Sequence, residues 1–187
     1  MKKKMAFGGI TLILLAICLA AFPMRRSLAA ENEGGSFTID VACDARTYVQ
    51  NNVDPLASGS HRGDIFIVAG RIFPGGTIPA GNNVFTPDNP GSIGKWICRG
   101  VWMVSSDDLA AGASPAFDTT QIYLLPDGSR QLFSEGLEGP QPVFRTVTGG
   151  TGPLAGVRGQ VRQELLGTNV TGLFNLRFIF ELNGRAE

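Results

Sequence analysis

Short segments of alternating apolar and polar residues, divided by turn-forming residues, run from about position 36 to position 182. The clearest is the last. Phe174, Leu176, Phe178, Phe180 and Leu182 share one parity, and Leu173, Asn175, Arg177, Ile179 and Glu181 share the other. A period of two is that of a strand with one face buried. Segments 36–41, 64–73, 94–105, 120–125, 131–137, 144–148 and 157–166 read as strands on similar grounds. The second of them, around Ile65 to Ile72, is apolar on both parities and predicts a strand covered on both faces. In the third, Trp96 and Trp102 share a parity. Pro126 to Ser129, reading Pro-Asp-Gly-Ser, is a strong hairpin signal between the fourth and fifth.

Three polar or turn-rich stretches, 46–62, 74–93 and 107–119, read as loops. The second is rich in Gly, Pro and Asn, and a connection of that length is often functional. A rim or lid over a cavity would suit it. No stretch has a sustained helical period, and no internal repeat is evident. The pattern predicts an all-β domain of eight antiparallel strands. A closed barrel of eight is wide enough to be packed solid or to hold one small ligand.

The connection between the sixth and seventh strands holds Gly149, Gly150, Gly152 and Gly156, with Gly159 just beyond. A phosphate-binding loop would place Lys-Ser or Lys-Thr after these glycines and run into a helix. Here Val157, Arg158, Gly159 and Gln160 follow, in strand alternation. The glycines therefore read as a tight strand-to-strand turn.

The first thirty residues do not belong to this pattern. Lys2, Lys3 and Lys4 precede an uncharged run from Phe7 to Phe22, and small residues follow at Ser27 to Ala30. This is the layout of a secretory signal peptide, residues 1–30, cleaved after Ala29 or Ala30. The run is short for a membrane span. Arg25 and Arg26 behind it keep an uncleaved anchor as the alternative. The expected mature chain, residues 31–187, is one domain, secreted or periplasmic, with no membrane contact after cleavage.

Removing the leader changes the charge balance. The full chain has 16 basic and 16 acidic residues, and five of the basic ones lie in the leader. The remainder holds 11 basic against 16 acidic residues, a net charge of −5. Lys95 is its only lysine, so no basic footprint exists for nucleic acid. Two cysteines remain, Cys43 and Cys98. In an oxidising compartment an even count favours one disulfide, closing a loop of roughly 55 residues worth about 4 kcal/mol on a chain-entropy argument. Two free buried thiols, or one reactive thiol, are the competing readings.

Residues Thr148 to Val161, reading Thr-Gly-Gly-Thr-Gly-Pro-Leu-Ala-Gly-Val-Arg-Gly-Gln-Val, resemble the signature of allene oxide cyclases and plant dirigent proteins. Gly63-Asp64 before an apolar strand, and Gln131 to Gly136 before the glycine turn, extend the likeness. The resemblance implies an eight-stranded antiparallel barrel with an apolar cavity, a homo-oligomer, no cofactor and an apolar small-molecule ligand. It implies chemistry by confinement: the barrel orients a reactive intermediate and keeps water away from it. It also implies a first-strand carboxylate, for which Asp40 is the loose counterpart. The plant cyclases carry polar residues that hold a water on the strand after Gly-Asp; Ile65 to Ala69 carries none.

Other candidates have simpler readings. His61, the single histidine, sits in a polar loop, and most zinc sites need more than one. Asp107-Asp108 lacks the ligand count of a calcium site. Asn169-Val-Thr171 fits the N-glycosylation pattern. Arg158, Arg162 and Glu164 share a strand face and read as a solvated or subunit-facing ladder, or a buried pair at a pocket mouth. Three functions remain: a barrel that steers cyclisation or coupling of its ligand, a non-catalytic carrier in the manner of a lipocalin, and a packed module for association at the cell surface. One or two buried polar groups in a cavity would favour the first, a wholly apolar cavity the second, and a filled core the third.

Overall fold

A computed structural model describes residues 35–183 except positions 57 and 127. The expected leader, 1–30, lies outside the described residues. Eight strands form in chain order: β1 (Ser36–Asn51), β2 (Ile65–Pro74), β3 (Gly94–Trp102), β4 (Phe117–Leu124), β5 (Gln131–Glu138), β6 (Val143–Gly150), β7 (Arg158–Thr168) and β8 (Phe174–Asn183). Each pairs antiparallel with the next, and β8 returns to β1 to close a barrel.

Alternation along each strand sorts side chains to the inside or the outside, as the period of two predicts. At one end the interior is packed by Ile39, Val41, Ile72, Tyr123, Leu132, Val147, Val161, Phe178 and Phe180. Tyr123 stands edge-on to Phe178 and Phe180, with ring centroids 5.3 and 5.0 Å away. The other end is hollow, and a cavity opens there.

β1 corrects the reading of 46–62 as loop. The strand bulges between Asp44 and Val49, then resumes pairing, Val49 opposite Ile67 and Asn51 opposite Ile65. Within the bulge the Asp44 carboxylate accepts the Arg46 backbone N–H, and Thr47 Oγ1 donates to the Asp44 carbonyl. Arg46 to Asn51 looked like loop because most of their side chains are exposed, though their backbone stays in the sheet; the described residues from 52 to 62 form the expected connection.

The 75–93 connection is not a lid. It straps the outside of the barrel, burying Ile78 against Ala42, Phe73 and Leu166, with Phe85 edge-on to Phe73 at 4.9 Å. Gly81 N–H donates to the Leu166 carbonyl, and Asn175 Nδ2 donates to the carbonyls of Asn82 and Phe85. The strap covers one end of β2 only. Further along, the outward side chains of Ile65 and Ile67 are 51% and 46% exposed, so β2 is not buried on both faces as its apolar run suggested.

The stretch read as a loop from 107 to 119 contains a five-residue helix, α1 (Ser106–Ala110), and the first residues of β4. Ser105 caps the helix and Asp108 returns the bond to Ser105, a capping box that gives the acidic pair its local use. The glycine turn joins β6 to β7 through a short 3-10 turn at Gly152–Leu154. Gly152 has φ +60°, a conformation that disfavours any Cβ. At Gly159 a Cβ would fall on the backbone of Glu181 and Leu182 in β8.

Candidate functional site

The hollow half of the barrel encloses about 890 Å³. Its wall is chiefly apolar, with Phe66, Val68, Trp102, Phe117, Leu173 and Leu176 among the contributors. Leu109 to Ser114 and Gly139 to Gln141 border it, so the β3–β4 and β5–β6 connections, not the 75–93 strap, edge the opening. Among the described residues that line it, Glu138 is the single charged one.

Glu138 stands at the end of β5, on the inward parity of Leu132 and Ser134. Inward positions on β4, β6 and β7 supply its partners. Its Oε1 accepts from Thr119 Oγ1 at 2.7 Å, Gln121 Nε2 at 2.9 Å and Arg145 Nη1 at 3.2 Å. Its Oε2 meets only Gln163 Nε2, at 3.5 Å, the outer limit of a hydrogen bond. The Glu138 side chain keeps 17% of its exposure, whereas the Arg145 side chain keeps none.

Arg145 is buried behind this wall. Nε donates to Ser134 Oγ, Nη1 to the Gly136 carbonyl and to Glu138, and Nη2 to the Thr119 and Ser134 carbonyls. A guanidinium has five N–H donors, and these contacts occupy all of them. The belt continues inward. Gln121 Nε2 donates to Gln163 Oε1 at 2.9 Å, and Gln121 Oε1 accepts from Tyr123 OH at 2.6 Å and Trp96 Nε1 at 3.3 Å. Tyr123 OH also lies 3.2 Å from Ser134 Oγ. A polar layer thus divides the packed half of the barrel from the hollow half. Burial pushes the Tyr123 phenol up, and the same burial outweighs the opposing influence of Arg145. The phenol is a neutral member of the belt.

Cys43 and Cys98 also line the cavity, as free thiols. The disulfide favoured from their even count is not formed. They sit on β1 and β3 with β2 between them, Cys43 opposite Gly70 and Cys98 opposite Val68. Strands are spaced about 4.8 Å apart, so their α-carbons start roughly 9–10 Å apart across the sheet, beyond the reach of about 7 Å for a disulfide. Burial raises both thiols well above their ordinary range, with the neighbouring thiol and Glu138 adding to the effect at Cys43. Neither is set up as a nucleophile.

Asp40 is not in the cavity. It lies on the opposite parity of β1 from Ile39, Val41 and Cys43, fully buried beneath the strap. Arg177 Nε and Nη2 donate to its two oxygens at 2.8 and 3.0 Å, and the Ile78 backbone N–H donates at 2.8 Å. The carboxylate fastens the strap to the barrel. Gly149, Gly150, Gly152, Gly156 and Gly159 shape the β6–β7 turn at the packed end and take no part in the cavity wall. His61 and Asp64 belong to the β1–β2 connection, where the Asp64 carboxylate accepts the backbone N–H groups of Val53 and His61 at 2.7 Å each. Asn169 is 3% exposed and donates to the Cys43 carbonyl, so the folded chain does not present the glycosylation pattern. Arg162 and Glu164 pair at 2.7 Å on the outer face of β7, so they are not a buried pair at a pocket mouth. The described residues hold no group of three or more His, Cys, Asp or Glu suited to a metal.

Sequence reasoning missed Glu138, Arg145, Gln121 and Gln163. The usable signal was parity. Arg145, between Val143 and Val147, and Gln163, two residues after Val161, interrupt apolar inward faces; Gln121 and Glu138 share theirs with Thr119 and Ser134, so alternation marked those faces less clearly.

Comparison with known proteins follows the fold. No protein-family profile matches the sequence, and no curated protein does. Solved structures do. A pterocarpan synthase dirigent protein superposes with a TM-score of 0.60 at 11% identity, over 83% of this chain and 97% of its own. A second pterocarpan synthase dirigent protein gives 0.58 at 11% identity, over 96% and 98%. A pyocyanin demethylase gives 0.53 at 16% identity, over 80% and 100%. The chain therefore has the eight-stranded barrel fold found in dirigent proteins, as the glycine-turn resemblance implied.

Proposed function

We propose that this protein takes an apolar small molecule into the hollow half of its barrel and steers that molecule's cyclisation or coupling by holding it against the Glu138–Gln163 wall. The observation that carries the reading is a cavity of about 890 Å³ with a chiefly apolar wall and one charged side chain. That volume lies in the range of small-molecule sites, which combine apolar walls with a few placed polar groups. A carrier needs only the apolar wall; a carboxylate held by an elaborate belt favours an oriented ligand. Fold neighbours named as a pterocarpan synthase and a pyocyanin demethylase, both named for small molecules, support the same view. Confinement supplies the rate advantage by fixing a reactive conformer and limiting the access of water.

In the same proposal the chain is exported on residues 1–30 and works outside the cytoplasm. It self-associates through the outer face on which Val49, Ile65 and Ile67 lie side by side, exposed. The test is extraction of the purified protein with organic solvent and mass spectrometry of the extract. The expected result is an apolar molecule in near-stoichiometric amount whose removal lowers Tm. A protein that yields none, and binds no apolar dye, would overturn the proposal.

A further inference from the structure

We infer that Glu138 makes the cavity selective for ligands that present a neutral hydrogen-bond donor, a hydroxyl or an N–H, and makes it reject carboxylate-ended ligands such as fatty acids. The inference deepens the proposed function and rests on that reading of the cavity.

Arg145 is the one nearby cation, and each of its five N–H groups already has an acceptor. It is walled off, and it does not line the cavity. A ligand anion therefore finds no cationic donor. Glu138 Oε1 is saturated by Thr119, Gln121 and Arg145. Glu138 Oε2 has only the 3.5 Å contact with Gln163, so the side of the carboxylate with spare lone pairs is the one left for a ligand. Gln163 Nε2 has two N–H groups, and that contact takes one of them. The wall thus offers one strong acceptor and one amide donor side by side. A ligand hydroxyl, which donates and accepts, satisfies both. A carboxylate would place like charges together in an apolar enclosure, where the repulsion is poorly screened. A donor-free ligand would strip water from Glu138 Oε2 and replace it with nothing, which is unfavourable.

The experiment uses the fluorescent dye N-phenyl-1-naphthylamine as reporter and three competitors of nearly equal size: 2-naphthol, 2-methoxynaphthalene and 2-naphthoate, at neutral pH. The expected result is that 2-naphthol displaces the dye about tenfold more effectively than 2-methoxynaphthalene, and by a wider margin over 2-naphthoate. In Glu138→Gln the naphthol preference over naphthoate shrinks. Equal competition by naphthol and its methyl ether, or better competition by naphthoate, overturns the selectivity while the cavity reading stands. If the dye does not bind at all, the cavity reading itself fails. Should Glu138→Gln not fold, the comparison of naphthol with its methyl ether on the unaltered protein decides the matter.

Discussion

Arg145 shows how much one side chain can organise. A fully buried guanidinium is tolerable only when every donor is met, and five acceptors from two strands, β4 and β5, meet these. Removing the charge leaves Glu138 in the cavity wall without its counter-ion. Arg145→Met is expected to cost about 3 kcal/mol of stability, measured by denaturant unfolding, because breaking a buried pair strands the remaining charge. A cost below 1 kcal/mol would mean that the belt is not cohesive. The same residue-level view explains Cys43 and Cys98. Their number suggested a bridge, and their positions on strands separated by a third prevent one.

Among the elements, the strap at 75–93 is the one whose role changed most between sequence and structure. Its length suggested a cover for the cavity. It lies instead on the outer face of the barrel, held by the Asp40–Arg177 pair and by burial of Ile78. Ile78→Ala is expected to destabilise the fold by about 2–4 kcal/mol, the usual range for a buried Ile cut back to Ala. Affinity for an apolar dye should stay the same, since Ile78 does not line the cavity. A tenfold loss of dye binding with little change in Tm would return the strap to the role of lid. The edges of the opening come from α1 and the β5–β6 connection, short elements with little periodic signal of their own.

The whole molecule depends on closure. β8 pairs with both β7 and β1, and the barrel exists only if that seam forms. Gly159 lies in the seam, where its hydrogen faces the Glu181 carbonyl. Gly159→Val is expected to prevent normal pairing of β7 with β8, lowering Tm by at least ten degrees or preventing soluble folding. Thermal melting of the purified variant checks this, and an unchanged Tm would show that the strands part without consequence. A hollow interior raises the stakes of closure, because the seam seals a half-barrel with few packing contacts of its own.

The strands were largely legible before any coordinates. Alternation in 174–182, the Pro-Asp-Gly-Ser hairpin and the glycine turn each follow from local backbone preference or from a strand's two-residue period, and both are properties of neighbouring residues. The barrel was legible because eight such strands in series, resembling a known signature, have few ways to bury their apolar faces. The site was not. Thr119, Gln121, Ser134, Glu138, Arg145 and Gln163 come from four strands, and their meeting depends on register, which a one-residue slip would destroy. Asp40 went to the outside for the same reason: parity fixed two faces for β1, and only packing against the strap decided which face was which. The sequence by itself determined where the chain extends and where it turns. The tertiary structure alone decided what is enclosed, because a cavity belongs to no single strand and arises from the distances between them.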